Sequence, residues 1–202
     1  MTVPTLMQNH QRKTYVTHLH KVYNELQQAL MQYQTDRNAV NLKEAGLNSK
    51  ARVEAFFNEY FKVVQTCGGV AAPCFASSYK TINGGAVSIA SVWTGGCVTL
   101  VSGSSFCMDY PTFNDSSWGW VFIDINGKQG PNILGRDAFY LTVFTDGVLD
   151  VWGATIDCRT KGICNKGGTL EDLRGTADTC KSGNGVTTCF GQILNDNWEM
   201  NY

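Results

Sequence analysis

The residues of this 202-residue chain whose types suit chemistry are eight cysteines, three histidines and a cluster of aspartates and asparagines. The cysteines are Cys67, Cys74, Cys97, Cys107, Cys158, Cys164, Cys180 and Cys189. All lie in the glycine-rich part of the chain. An even count of this kind predicts up to four disulfides and an oxidising, exported setting. Zinc sites usually need C-x2-4-C pairs, whereas the gaps between neighbours here hold six, nine, five and eight residues. Eight cysteines admit roughly a hundred pairings. Pairing of neighbours (67–74, 97–107, 158–164, 180–189) is the default, with crossed pairing among the last four as the alternative.

A nucleophilic triad needs a histidine within reach of a serine or cysteine. His10, His18 and His20 all lie within the first 20 residues, away from every cysteine. On a helix His18 and His20 point about 200° apart and cannot share a metal. No nucleophile elbow, HExxH, P-loop or dinucleotide fingerprint occurs. The chain is therefore read as a non-enzyme, with no catalytic residue, no cofactor and no metal site assigned.

Asp124, Asn126 and Asn132 invite a calcium reading, because D-x-N-G opens many calcium loops. Laid on the EF-hand template from Asp124, the sixth position is Gln129 instead of glycine, and the twelfth is Gly135 instead of glutamate. A turn held by Asp and Asn side chains on their own backbone accounts for the same residues. Asp109, Asp115, Asp124, Asp137, Asp146 and Asp150 are spread over strands and turns, with no pattern of a carboxylate pair. Of the tryptophans Trp93, Trp118, Trp120, Trp152 and Trp198, Trp118 and Trp120 share one strand face. Those two form the candidate binding surface, in competition with a role in the core.

These residues must be positioned by two helices and a sheet. Residues 5–35 place Val16, Leu19, Tyr23, Leu26, Leu30 and Tyr33 at spacings of three and four, which predicts one amphipathic helix. A connector follows over 36–48, then a second helix over 49–65 that Cys67-Gly68-Gly69 would end. Strands are expected at 86–93 and 97–102 around Thr94-Gly95-Gly96, at 118–125, and at 139–144 and 148–152 around Asp146-Gly147, a dipeptide suited to a type I′ turn. A Gly- and Cys-rich loop covers 157–189, and 190–202 is read as a last strand. Helices first and strands after them predict an α+β fold with one antiparallel sheet.

Hydrophobic residues make up 43% of the chain and charged residues 16%, which predicts a packed core and not a disordered chain. The net charge of −1 gives no global case for nucleic acid. Residues through Lys62 carry net +3 and the remainder net −4, an asymmetry too small to name a partner. No apolar run is long enough to span a bilayer. Residues 1–4 read as the tail of an apolar segment, so such a segment is expected ahead of Thr2.

Three blocks in order resemble one family. Residues 124–132, DINGKQGPN, followed by GRDAF at 135–139, resemble a signature of bacterial type IV pilin-like proteins, the pilins and pseudopilins. TVPTLMQN and YVTHLHKVY near the start resemble the point where a pilin's apolar helix becomes its soluble half. CFGQILNDNWEMNY at the end resembles the closing strand of the same group. The resemblance implies a pilin fold, with the soluble half of the N-terminal helix over 1–35 and the head over 36–202. It implies a leader removed by a prepilin peptidase, N-methylation, and anchoring in the inner membrane through an apolar helix before assembly. It further implies a filament subunit of a type IV pilus or pseudopilus at the cell surface or in the periplasm, whose partners are other pilin subunits. The long region 67–115, with four cysteines, is richer than a minimal pilin and favours a specialised or minor pilin. The competing reading is a tip binding module, lectin-like or DNA-binding, that contacts a host surface or DNA.

Overall fold

In a computed structural model, described over residues 3–110, 117–164, 168–175, 177–182 and 188–202, the chain begins with one long helix. This is α1, Val3–Asp36. Pro4 sits in its first turn, where a missing N–H costs nothing. The stripe expected from the sequence is the buried one: Val16, Leu19, Leu26, Leu30 and Tyr33 are all inside, joined by Val22 and Ala29. Tyr23 lies at the edge of the stripe, half-buried. Residues 7–11, ahead of the buried stripe, are exposed.

The connector after α1 does more than link helices. Leu42, Ala45 and Leu47 are buried, and Leu42 N–H donates to Thr145 O at 2.8 Å. The second helix, α2, runs Lys50–Tyr60, with the Ser49 hydroxyl accepting from Arg52 N–H as N-cap. It stops earlier than the apolar spacing predicts. From Val63 the chain is strand β1, Val63–Val70, because Val63, Val64 and Thr66 favour a pleated backbone and pair with a neighbouring strand. Cys67 and Gly68 therefore lie within a strand, and Gly68, at φ 61°, marks a bulge in its register.

The main sheet has six antiparallel strands in the order β1-β4-β5-β6-β7-β8, with β4 Val92–Leu100, β5 Ser105–Met108, β6 Ser117–Asp124, β7 Ala138–Phe144 and β8 Leu149–Asp150. A separate two-stranded ribbon joins β2 Tyr79–Lys80 to β3 Ala86–Val87. The hairpin at Asp146-Gly147 forms as expected, Gly147 adopting φ 80°. A Cβ there would overlap Gln34 Nε2, since α1 packs directly on that turn. Thr94-Gly95-Gly96 is not a hairpin. Both glycines lie inside β4, and a Cβ at Gly95 would come within 2.9 Å of Val53 Cγ1 and 2.6 Å of Met108 O. Glycine is needed there so that α2 can approach the sheet closely. The β4–β5 turn falls later, at 101–104.

Alternation divides the sheet into two buried faces. Val98, Leu100, Phe106, Met108, Val121, Ile123, Phe139, Leu141 and Val143 face α1 and α2. Trp93, Cys97, Cys107 and Phe122 face the other way, beneath a cover formed by Ala71, Cys74, Phe75 and Tyr79. Each fully buried aromatic contributes about 1.5–3 kcal/mol.

The C-terminal region departs most from expectation. Among its described residues the 157–189 stretch, read as loop, contains three short helices: α3 Ile156–Lys161, α4 Leu170–Arg174 and α5 Ala177–Lys181. The expected last strand is a helix, α6 Thr188–Asn195, followed by irregular chain. Cys189, Phe190 and Ile193 are buried at helical spacing against α1 and β7, and this packing overrides the strand-like alternation of Trp198-Glu199-Met200. No described helix is long and apolar enough to cross a membrane.

Candidate functional site

The motif 124–139 forms a clasp between β6 and β7, built around two buried carboxylates. Asp124, at the end of β6, and Asp137, just before β7, are both fully buried. Asp124 Oδ2 accepts from Tyr79 Oη at 2.6 Å, and Oδ1 accepts from Asn126 N–H at 3.2 Å. Asp137 accepts from Ile133 N–H at 2.6 Å and from Asn132 N–H at 2.8 Å. Asn126 Nδ2 donates to Gly130 O across the turn, and the Gly130–Pro131 peptide is cis. Asn132 takes a left-handed conformation at φ 55°, which Asn tolerates better than most residues.

The electrostatics of this clasp are those of two buried acids close to each other. Burial pushes the Asp124 carboxyl up to about 7, the Asp137 charge adds to the rise, and the Tyr79 hydroxyl and the Asn126 N–H oppose it. Asp137 is raised for the same first reason and is held down by backbone hydrogen bonds, from Ile133 first and then Asn132, and by the Asn126 side chain. Tyr79 is raised by burial and by the negative charge of Asp124. All four carboxylate oxygens already accept an N–H or O–H. The arrangement therefore organises a turn.

The clasp also receives the C-terminal chain. Tyr202 Oη donates to Gly135 O at 2.7 Å and lies 3.5 Å from Cys189 O. Gly135 has φ 85°, and a Cβ on it would stand 2.6 Å from Cys189 Sγ. Thus two of the three sequence blocks, far apart in the chain, meet at one glycine. Against models of known families, curated proteins and solved structures, the chain matches none.

Each cysteine pairs with its neighbour: Cys67–Cys74, Cys97–Cys107, Cys158–Cys164 and Cys180–Cys189. Cys97 and Cys107 are register partners on β4 and β5. Cys67–Cys74 ties β1 to the segment that covers the outer sheet face, and Cys180–Cys189 ties α5 to α6. Four disulfides suit an oxidising, extracytoplasmic environment.

Of the candidate binding pair, the side chain of Trp118 lies outside the described residues. Trp120 is half-buried on the outer face, edge-on to Tyr140 at 6.0 Å. Its other neighbour was not foreseen. Trp152 stacks on Trp120 with ring centroids 6.1 Å apart and planes 14° apart, and is 59% exposed. Trp93 is buried, its Nε1–H bonded to Ala90 O. Trp198 stacks on His20 at 4.0 Å, and His10 and His18 are exposed. The structure brings no histidine to the clasp or to the tryptophan pair.

Tyr79 and Tyr202 are the clasp residues that sequence reasoning missed. Tyr79 lies 45 positions from Asp124. No local signal in the sequence links the two.

Proposed function

We propose that this protein is a structural subunit of a type IV pilus-like filament or a secretion pseudopilus. The observation that carries the reading is α1. It buries one stripe against a sheet from Val16 onward, while residues 7–11 in its preceding turns are exposed. A helix of this kind has a second, unused set of neighbours to find, and a polymer of like subunits supplies them. The resemblance of the 124–139 clasp and of the 189–202 block to pilin-like proteins supports the same reading, because these two blocks meet in the fold at Gly135 and Tyr202. Assembly by helix burial needs no catalytic group. The disulfide-tied outer regions fit a subunit that works outside the cytoplasm.

The test is fractionation of the native organism's surface filaments by shear, with detection of this chain by antibody. Its presence in sheared filaments, lost when the filament assembly machinery is removed, is the expected result. Recovery solely as a free periplasmic protein would contradict the proposal.

The exposed Trp152–Trp120 stack favours a second reading, a binding module on the same scaffold. Aromatic faces stack well on bases. Binding to host glycans or DNA that disappears in Trp120→Ala or Trp152→Ala, with folding intact, would support it. Negative results across both ligand classes would remove it.

A further inference from the structure

Beside the clasp lies a small polar cavity of about 200 Å³, lined by Gln8, Gln11, Arg12, Tyr15 and Arg136. Arg136 belongs to the turn that carries Gly135 and Asp137, and Arg12 and Tyr15 come from adjacent turns of α1. Both arginines are half-buried. Among the described residues neither guanidinium forms an ion pair or a side-chain hydrogen bond to a protein group. The nearby carboxylates make other contacts, and Glu199 also lines a neighbouring recess with Arg12. Asp137 accepts from two backbone N–H groups, Asp196 accepts from Asn201 Nδ2 at 3.3 Å, and Glu199 lies 3.5 Å from the same Nδ2.

Both arginines also influence the same phenol. Burial raises Tyr202 and the Asp196 charge adds to the rise, while the charges of Arg136 and Arg12, the two cations that line the cavity, oppose it. Tyr15 is likewise raised by burial and by Asp137, with Arg136 acting against them. Two like charges held together in a partly desolvated recess repel each other unless an anion lies between them. Guanidinium forks match oxyanions in geometry, and their hydrogen bonds to such anions are the strong, charge-assisted kind.

We propose that Arg12, Arg136 and Tyr15 form a binding site for a phosphate dianion, free or as a phosphomonoester. A phosphate monoester carries about −1.5 to −2 charge at neutral pH, which balances two guanidinium groups where a single carboxylate would leave one uncompensated. At about 30 Å³ per water, the cavity holds roughly six waters, room enough for a hydrated phosphate. The Tyr15 hydroxyl supplies a further donor. The site is independent of the filament reading, since it depends on the head and α1 of a single chain.

The experiment is titration of the oxidised protein with inorganic phosphate by calorimetry at fixed ionic strength, with acetate as the monoanion control. Alongside it runs co-sedimentation with phosphatidylcholine vesicles that contain or lack phosphatidic acid. Saturable phosphate binding that weakens roughly ten- to a hundredfold in both Arg12→Gln and Arg136→Gln is expected. Phosphate binding without vesicle binding identifies a free ligand. Vesicle binding that needs phosphatidic acid and is lost in both variants identifies a headgroup. Arg12 lies ahead of Val16, the first described buried position of α1, so Arg12→Gln keeps the test open even if Arg136→Gln fails to fold. The proposal is overturned by absence of saturable binding to either probe, by unchanged affinity in Arg12→Gln, or by acetate binding as tightly as phosphate.

Discussion

Tyr202 Oη donates to the carbonyl of Gly135 at 2.7 Å, and the same glycine faces Cys189 so closely that no side chain fits between them. Residue 202 is thereby fixed to the turn that joins β6 and β7. The Cys180–Cys189 bridge extends that anchorage to α5. One contact thus links the central clasp, the last helix and the C-terminal chain.

Tyr202→Phe is expected to cost about 1–2 kcal/mol in chemical denaturation, because the buried Gly135 carbonyl loses its donor. Gly135→Ala should cost more, roughly 2–5 kcal/mol, since it adds a left-handed backbone penalty to overlap with Cys189. Equal, small losses in both variants would mean that the C-terminal chain is not anchored there.

Asp124 makes the stability of the protein depend on pH in a definite direction. In the unfolded chain an aspartate ionises near 3.8, whereas folded Asp124 keeps its proton up to about 7 because burial disfavours its charge. The folded state therefore binds the extra proton. The stabilisation is complete below about pH 4 and is lost as pH rises through 7, at about 1.4 kcal/mol per unit of separation. Asp137, raised in the same direction, adds to the trend. Urea unfolding at pH 4.5 and 7.5 should show the wild type losing more stability over this window than Asp124→Asn. Identical changes in the two proteins would contradict the account.

The neighbour pairing of the cysteines predicts four defined cross-linked peptides in a non-reducing digest: 67–74, 97–107, 158–164 and 180–189. Replacing Cys97 and Cys107 together by serine should destabilise the protein by about 2–4 kcal/mol. Detection of eight free thiols by alkylation would remove both the pairing and the argument for an oxidising compartment.

Gly95→Val should separate α2 from the sheet. The new side chain would meet Val53 and the Met108 carbonyl, both under 3 Å from its Cβ. A loss of roughly 1–3 kcal/mol is expected from overpacking alone. A thermal midpoint equal to wild type would show that α2 does not press on β4 at this point.

Much of this arrangement is legible in the sequence wherever one periodicity acts alone. The α1 stripe, β6, β7 and the Asp146-Gly147 hairpin follow from spacing and turn chemistry, because each buries one clear face. Where two signals compete, tertiary packing decides. Gly95-Gly96 reads as a turn but serves a close helix–sheet contact, and the start of 190–202 reads as strand but turns helical to bury Phe190 and Ile193 under α1. Val63 and Val64 extend the helical spacing of α2, yet they are claimed by β4. The clasp is visible as a turn from its Asp, Asn and Gly residues. Its partners Tyr79 and Tyr202 come from distant chain, and local pattern carries no trace of them. The same is true of Trp152, which reaches Trp120 only through the β7–β8 hairpin.

The filament reading rests on the exposed turns of α1, so the most direct measurement probes them in place. A photo-crosslinking residue put at Met7, 60% exposed and ahead of the first buried position, should yield a ladder of covalently joined subunits in assembled surface filaments. The ladder should vanish when assembly is blocked. Monomer alone after irradiation, in cells that produce filaments, would contradict the proposal that this helix packs against its neighbours.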